Sequence, residues 1–118
     1  MAAEAFHASV AALLPQLPRP TGERWISAFE RGQLSIEVYA PRGTDPQQPH
    51  TRDEVYVVVA GRATFVAGDR RFACGPGDVV HVPAGLPHRF EDFGDDLVVW
   101  GIFFPATSPK SVADPDAA

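Results

Sequence analysis

The spacing of the hydrophobic residues changes near position 20 of this chain. Before that point, apolar residues recur three or four positions apart, which predicts a short helix over residues 3–14. Prolines, the first of them Pro15, then end the helical pattern, so residues 1–20 form a helix and a proline-rich lead-in. Beyond it, apolar and polar residues alternate, and this period of two is typical of β-strands. The apolar residues of the predicted helix are Phe6, Val10, Leu13 and Leu14.

Short apolar runs between turns rich in glycine and proline predict an all-β domain over residues 21–105. The most β-prone run is Val55 to Ala60, in which four of six residues are valine. Hairpin signals at Gly61-Arg62 and Gly68-Asp69 bracket the strand between them. Eight or nine strands of this length predict a sandwich or a barrel. The other predicted strands are 25–29, 33–39, 63–67, 71–74, 78–82, 87–90 and 97–104.

The composition fits one globular domain and excludes several kinds of partner. A chain of 118 residues with 45% hydrophobic and 21% charged residues can form a single domain with a modest core. Its net charge of −5 argues against a nucleic-acid partner, because phosphate binding needs a basic face. The single cysteine, Cys74, excludes an internal disulfide and a cysteine-rich zinc site. No membrane span or secretory signal is visible, so we expect a cytoplasmic protein, and the tail at 106–118 has little to bury and should be mobile.

The segment from Gln48 to Gly61 places three metal-ligating groups just before the valine-rich strand. Gln48 offers an amide oxygen, His50 an imidazole nitrogen and Glu54 a carboxylate. Six residues separate Glu54 from Gly61, which closes the strand. A histidine beside a turn is often only a surface residue, so the interpretation depends on a matching ligand elsewhere in the chain.

A second segment supplies that ligand at His88, which follows a turn containing Pro83 and Gly85. The segment begins at Gly77 and ends at Asp92. The paired spacing resembles the two motifs of the cupin superfamily. The first motif is usually glycine, five residues, His-x-His, three or four residues, Glu, six residues and Gly. The second is glycine, five residues, Pro-x-Gly, two residues, His, three residues and Asn.

The chain departs from this pattern at three positions. Gln48 stands in place of the first histidine, Asp92 in place of the asparagine, and Gly43 lies one residue closer than the leading glycine should. The resemblance covers roughly residues 34–104. It implies a single-domain cupin, a jelly-roll β-barrel with a short N-terminal helix, that binds one divalent metal ion. The implied metal ligands are Gln48, His50, Glu54 and His88.

The donor atoms narrow the choice of metal. Imidazole nitrogen with carboxylate and amide oxygen forms a borderline ligand set that suits Zn, Fe, Mn or Ni. Two histidines and one carboxylate with open positions are also the facial arrangement of non-haem iron oxygenases. The set of ligand types is similar to the zinc site of phosphomannose isomerases, which are themselves cupins.

Two classes of function remain open. The first is a metal-dependent enzyme acting on a small carbonyl, enediol or phenolic molecule by isomerase, lyase, cyclase or dioxygenase chemistry. The second is a non-catalytic cupin that binds a metal or a small molecule. A proton-handling group beside the metal would separate the two classes.

The sequence offers two catalytic candidates, Tyr56 and His81. Tyr56 shares a pleat face with Glu54, so its hydroxyl should reach the pocket, although a core-packing role fits it equally. His81 could support the site or contact the substrate, and the alternative is a half-exposed strand histidine. Arg52 could hold a substrate anion, and its alternative is a solvated side chain.

The N-terminal strands predict a homodimer. Residues 25–29 and 33–39 can form a two-stranded ribbon, which has an open edge and is marginal alone. In the second of these strands, Leu34, Ile36 and Val38 share one face. Laying the ribbon along a neighbour's sheet would close its edge, and two-fold pairing is the commonest closed form of assembly.

Overall fold

The computed structural model describes residues 3–106, and these form two antiparallel β-sheets. The strands are β1 (Trp25–Arg31), β2 (Leu34–Tyr39), β3 (Asp53–Ala60), β4 (Ala63–Ala67), β5 (Arg70–Cys74), β6 (Val79–Val82), β7 (His88–Glu91) and β8 (Val98–Phe104). The larger sheet has the order β1-β2-β8-β3-β6, and the smaller has the order β5-β4-β7. This architecture confirms the predicted all-β fold class. The tail predicted to be mobile lies outside the described residues, apart from Ala106.

The N-terminal helix is shorter than predicted. Helix α1 covers only Val10–Leu13 and continues as one 3-10 turn. The side chain of Ser9 caps it by accepting a hydrogen bond from the amide of Ala12 at 3.2 Å. Phe6 instead packs against Phe29 of β1, with ring centroids 4.5 Å apart. A helix of one turn is not stable by itself, so contacts with the sheet decide its extent.

The main hydrophobic core lies between the two sheets. Tyr56 of β3, Phe65 of β4 and Phe90 of β7 form its centre, with ring centroids 4.9 to 5.7 Å apart in edge-to-face geometry. A second, smaller cluster lies on the outer face of the larger sheet, where α1 packs on Val38 and Val98. Both faces of β2 and β8 are therefore covered in part.

The predicted ribbon of β1 and β2 belongs to the larger sheet of its own chain. β2 pairs with β8 along its whole length, from Ser35 opposite Phe103 to Tyr39 opposite Val99. This pairing closes one edge of the ribbon, so only β1 remains an open edge. The prediction of a homodimer therefore depends on the open edge of β1 and on Trp25, which is exposed on that strand.

The backbone conformation explains the residue type at two positions of the sequence motifs, Gly61 and Asp92. Gly61 has φ of +81°, and a Cβ atom there would lie 2.7 Å from the Cα of Leu97, so only glycine fits. Asp92 has φ of 54°, in the left-handed region that asparagine and aspartate adopt more readily than other side chains. The aspartate at the position of the motif's asparagine therefore preserves the turn after β7.

Candidate metal centre

The side chains of His50, Glu54 and His88 meet at one point inside the barrel. Their nearest ligand atoms all lie within 4.8 Å of one another. The Oε1 atom of Glu54 lies 3.0 Å from His50 Nε2 and 3.6 Å from His88 Nε2. The side chains of Glu54 and His88 are buried, and that of His50 is 22% exposed. The structure thus brings together the three ligands predicted on both motif segments, in a cluster that could hold a metal ion.

Backbone carbonyls fix the orientation of both imidazole rings. His50 Nδ1 donates to the carbonyl of Arg52 at 2.8 Å, and His88 Nδ1 donates to the carbonyl of Leu86 at 2.8 Å. Because a carbonyl can only accept, the proton of each neutral ring lies on Nδ1 and the lone pair on Nε2. The lone pairs on both Nε2 atoms therefore point towards Glu54 and could bind a metal there, and this outer hydrogen bond is typical of metal-binding histidines.

His88 Nε2 is the one buried side-chain nitrogen or oxygen within residues 3–106 that lacks a hydrogen-bond partner. Burial alone would lower the pKa of His88, but the proximity of the Glu54 carboxylate and the bond to Leu86 outweigh burial and raise it. A buried nitrogen without a partner costs free energy unless another group satisfies it. A metal ion bound to Nε2 would remove that cost, so the residues present fit a metal.

Hydrogen bonds between the two motif segments hold the site together. The amide of Gly85 donates to the carbonyl of His50 at 2.8 Å. The amide of Ala84 donates to Oδ1 of Asp53 at 2.9 Å. The turn before β7 is thereby fastened to the start of β3, which explains how His88 comes to face Glu54.

A cavity of about 370 Å³ opens beside this cluster. Glu54 lies in its wall, together with Tyr56 of the same pleat face. Gln48 also lines the cavity, where its side chain is exposed, and its role as a metal ligand stays a prediction. Further lining residues come from the lead-in to β1, from the loop between β2 and β3, and from β8; they include Arg24, Trp25, Glu37, Tyr39, Thr44, Pro46, Gln47 and Phe103.

A buried hydrogen-bond network, not visible in the sequence, shapes the cavity around Asp45. Asp45 accepts from the hydroxyl of Tyr39, from Gln47 Nε2 at 2.7 Å and from the amide of Phe90 at 2.8 Å. Gln47 in turn accepts a hydrogen bond from the hydroxyl of Tyr56. Burial, reinforced by the negative charge of Glu54, raises the pKa of Tyr56 well above its ordinary value, so its hydroxyl stays protonated. Asp45 therefore fastens the loop before His50 to β7.

Glu37 is a second carboxyl group in the cavity that the sequence did not single out. It lies on β2 opposite Gly101 of β8, and Tyr56 of β3 lies on the other side of the same glycine. A Cβ atom at Gly101 would lie 2.7 Å from Glu54 Oε2 and 3.3 Å from Glu37 Cγ. Burial, with the charge of Glu54 adding to it and that of Arg52 opposing it, raises the pKa of Glu37 to about 8.

The structure does not bring His81 to the cluster. His81 lies on the outer face of β6, with Nε2 3.2 Å from Oδ2 of Asp53 and a side chain that is 52% exposed. Its ring stacks on Phe104, with centroids 6.4 Å apart. Arg52 is closer to the site: its guanidinium lies over the ring of Phe103 at 4.6 Å and donates to Ser35 Oγ at 2.8 Å.

The fold and site together define a small jelly-roll β-barrel with a metal-competent cluster at its interior. Residues 35–105 match the family model described as the cupin domain, and these residues make up more than half of the chain. The chain belongs to the cupin family. This membership confirms the resemblance seen in the motif residues. No helix within residues 3–106 is long and apolar enough to cross a membrane.

Similar proteins share the fold over most of the chain. An uncharacterized protein of Streptomyces coelicolor is 43% identical over 86 residues, covering 71% of this chain and 82% of its own. A crystal structure from Ralstonia eutropha, described provisionally as a mannose-6-phosphate isomerase, is 27% identical, covers 85% of this chain and 98% of its own, and has a TM-score of 0.64. The DMSP lyase DddQ from Ruegeria pomeroyi is 24% identical, with a TM-score of 0.59, over 75% of this chain and 48% of its own.

Proposed function

We propose that this cupin is a metal-dependent enzyme acting on a small oxygenated molecule bound in the cavity beside Glu54. The observation that carries the proposal is the unpartnered, buried Nε2 of His88, which faces the carboxylate of Glu54 and the ring of His50. His50, Glu54 and His88 would hold one divalent ion, with Gln48 as a weaker fourth ligand. Zn, Fe, Mn and Ni all suit this donor set.

A bound divalent ion would supply Lewis-acid chemistry, stabilising negative charge on a carbonyl, enediol or phenol oxygen, or oxygen-activating chemistry if the ion is iron. The residues around it perform the remaining tasks. The carbonyls of Arg52 and Leu86 fix the orientation of the two imidazole rings. A substrate would therefore bind against rigidly held side chains. The aromatic core below His88 excludes water from that side.

Tyr56 is one group that would orient a substrate oxygen. Its hydroxyl is held by Gln47 and lies on the cavity wall beside Glu54. Because the pKa of Tyr56 is raised, the hydroxyl stays protonated and does not serve as a base; its one hydrogen is donated to Gln47, so its oxygen can accept a hydrogen bond from a substrate hydroxyl. The protein of Ralstonia eutropha described as an isomerase supports chemistry on a hydroxy-carbonyl compound, since it aligns with nearly the whole barrel.

The alternative is a cupin that binds a metal or a small molecule without catalysis. The cavity itself is compatible with either class, because both need a polar site in an apolar pocket. A carboxyl group beside the cluster, Glu37, favours the enzyme, since it is a group that could exchange a proton with a ligand.

Elemental analysis of protein purified without chelator tests the proposed metal centre. We expect one Fe, Zn, Mn or Ni per chain, and recovery of that stoichiometry when stripped protein is titrated with the same ion. Stripped protein that binds none of the four ions tightly would overturn the metal centre. A bound metal without turnover on hydroxy-carbonyl and phenolic substrates would leave the non-catalytic alternative.

A further inference from the structure

Glu37 and Glu54 approach the cavity from either side of a single glycine, Gly101. Glu37 is the register partner of Gly101 on β2, and a Cβ atom on that glycine would crowd both carboxylate side chains. The absence of a side chain at position 101 is what leaves room for two carboxyl groups here. One of them belongs to the proposed metal centre, and the role of the other is open.

The carboxyl group of Glu37 makes no hydrogen bond or ion pair with any residue in the part of the chain that the structure describes. Asp45 provides the contrast, because it lies between the cavity-lining residues Thr44 and Pro46 and accepts three hydrogen bonds. A half-buried carboxyl group can accept a hydrogen bond in either protonation state, through its unprotonated oxygen. Glu37 therefore offers a hydrogen-bond acceptor to whatever occupies the cavity.

Acidic residues outnumber basic residues on the cavity wall. Three carboxyl groups line it, those of Glu23, Glu37 and Glu54, against one guanidinium, that of Arg24. The guanidinium of Arg24 is held beside the end of β2, since its Nε donates to the carbonyl of Ala40 at 2.8 Å. Four aromatic rings supply apolar wall, and they are Trp25, Tyr39, Tyr56 and Phe103.

We propose that Glu37 determines the ligand specificity of the cavity by accepting a hydrogen bond from a hydroxyl group of an uncharged, hydroxylated ligand. The ligand's other oxygens would face His50, Glu54 and His88, so this inference rests on the proposed metal centre and adds the substrate class. A carboxylate or phosphate at the same position would lie beside the carboxyl groups of Glu37 and Glu54 and would have no hydrogen to donate to Glu37. We therefore expect such anions to bind more weakly, because specificity depends on unfavourable contacts with the wrong ligand as well as on favourable contacts with the right one.

Three phenolic probes test this proposal. They share a pair of adjacent hydroxyl groups and differ in the group next to that pair. Pyrogallol has a third hydroxyl next to the pair, catechol has hydrogen there, and 2,3-dihydroxybenzoate has a carboxylate. Calorimetric titration of the zinc-loaded protein under argon gives the three affinities without oxidation of the probes. We expect pyrogallol to bind about tenfold more tightly than catechol, the gain of one hydrogen bond to a carboxyl group, and 2,3-dihydroxybenzoate to bind most weakly.

Three variants locate the effect at Glu37. Glu37→Leu removes the acceptor and should reduce pyrogallol to the affinity of catechol. Glu37→Gln keeps a carbonyl acceptor and should retain most of the preference. Glu30→Leu makes the same change on the neighbouring strand β1, at an exposed residue outside the cavity lining, and should match the wild type.

Zinc content, measured first for every variant, separates the two proposals. If wild-type protein binds no zinc, the metal centre fails and this inference fails with it. If Glu37→Leu binds zinc like the wild type and still prefers pyrogallol, only the role of Glu37 is overturned. Tightest binding of 2,3-dihydroxybenzoate to zinc-loaded wild type, or no binding of any probe, would likewise overturn the proposed ligand class.

Discussion

The imidazole rings of His50 and His88 meet edge to face, with their centroids 4.8 Å apart and their planes at 75°. One ring comes from the loop before β3 and the other from the first residue of β7, in the opposite sheet. The two sheets must therefore pack correctly before the rings can meet. Metal binding by this site should therefore report on the packing of the whole barrel.

Replacing His88 with alanine should abolish metal binding. Its imidazole is buried, and its Nε2 is the strongest metal ligand available on the β7 side of the site. Metal titration with elemental analysis provides the measurement. His81→Ala is the matched control, because His81 is also a strand histidine with a carboxylate neighbour but faces outward. Equal loss in both variants would show that the metal is bound elsewhere.

Replacing Gln48 with alanine should weaken metal binding without abolishing it. A neutral amide oxygen is a weaker ligand than imidazole or carboxylate, and the Gln48 side chain is exposed at the cavity. Competition with a chelator gives the change in affinity, and Gln33→Ala in the β1–β2 turn serves as control. Unchanged affinity would place Gln48 outside the ligand set, whereas complete loss would make it a full ligand.

Replacing Gly101 with alanine should displace the Glu54 carboxylate, because Gly101 lies on β8, the central strand of the larger sheet. The new Cβ atom would lie 2.7 Å from Glu54 Oε2, so the carboxylate must move. We expect a loss of stability of about 1–3 kcal/mol, as for other overpacked interiors, and weaker metal binding. Gly75→Ala is the control, because its Cβ atom would meet only the flexible end of Arg62. Similar metal affinity in both variants would contradict the packing around Gly101.

Glu37 should make the metal-free protein less stable as the pH rises. Its carboxyl has a pKa of about 8 in the fold, compared with the ordinary value of 4.5 expected on unfolding. Between these pH values the folded state holds a proton that the unfolded state has released, so the free energy of unfolding falls with increasing pH. The charged groups acting on Glu37 are Glu54, which raises its pKa, and Arg52, which lowers it.

Urea unfolding of metal-free protein across this pH range tests the effect of Glu37. Glu37→Gln should flatten the pH dependence relative to the wild type, while Glu30→Gln should leave it unchanged. A wild-type slope that persists in Glu37→Gln would show that other groups cause it.

The chain should form a homodimer through its open edge strand β1. Trp25 is 40% exposed on this strand, and Phe6, which packs on Phe29 of the same strand, is 45% exposed. Sedimentation at micromolar concentration should give about twice the chain mass of 12.7 kDa. Ser27→Pro would remove a backbone donor that points away from β2 at the open edge and should shift the protein towards monomer. A wild-type protein that sediments as a monomer would contradict the dimer.

The sequence predicted that His50, Glu54 and His88 would lie together because the spacing of these residues is tied to backbone geometry. Glu54 and Tyr56 alternate with exposed or half-buried residues on β3, so their shared face followed from the period of two. His88 follows a turn whose glycine, Gly85, has φ of +81°. The conformation of a turn and the alternation of side chains along a strand are local properties, so both can be predicted from neighbouring residues.

The position of Glu37 on the cavity wall could not be predicted from the sequence, and the reason is physical. The apolar residues of β2, among them Ile36 and Val38, indicate a buried face, and that face is indeed covered. It is covered by helix α1 on the outside of the sheet, whereas the polar face with Glu37 points into the barrel. A strand buried on both sides does not reveal which side is the interior, and only the packing of distant segments decides it. Asp45 is similar, since its partners come from three separate parts of the chain.

Buried Asp45 fastens the 41–49 loop to β7, so directed evolution could change the cavity entrance independently of the barrel. Residues on either side of that anchor, Thr44, Pro46 and Gln48, line the cavity mouth, yet none of them contributes to the hydrophobic core. Randomising Thr44 and Pro46 while keeping Asp45 would vary the shape of the entrance and leave the barrel as a constant host. Such a library would explore new ligand preferences on one unchanged scaffold.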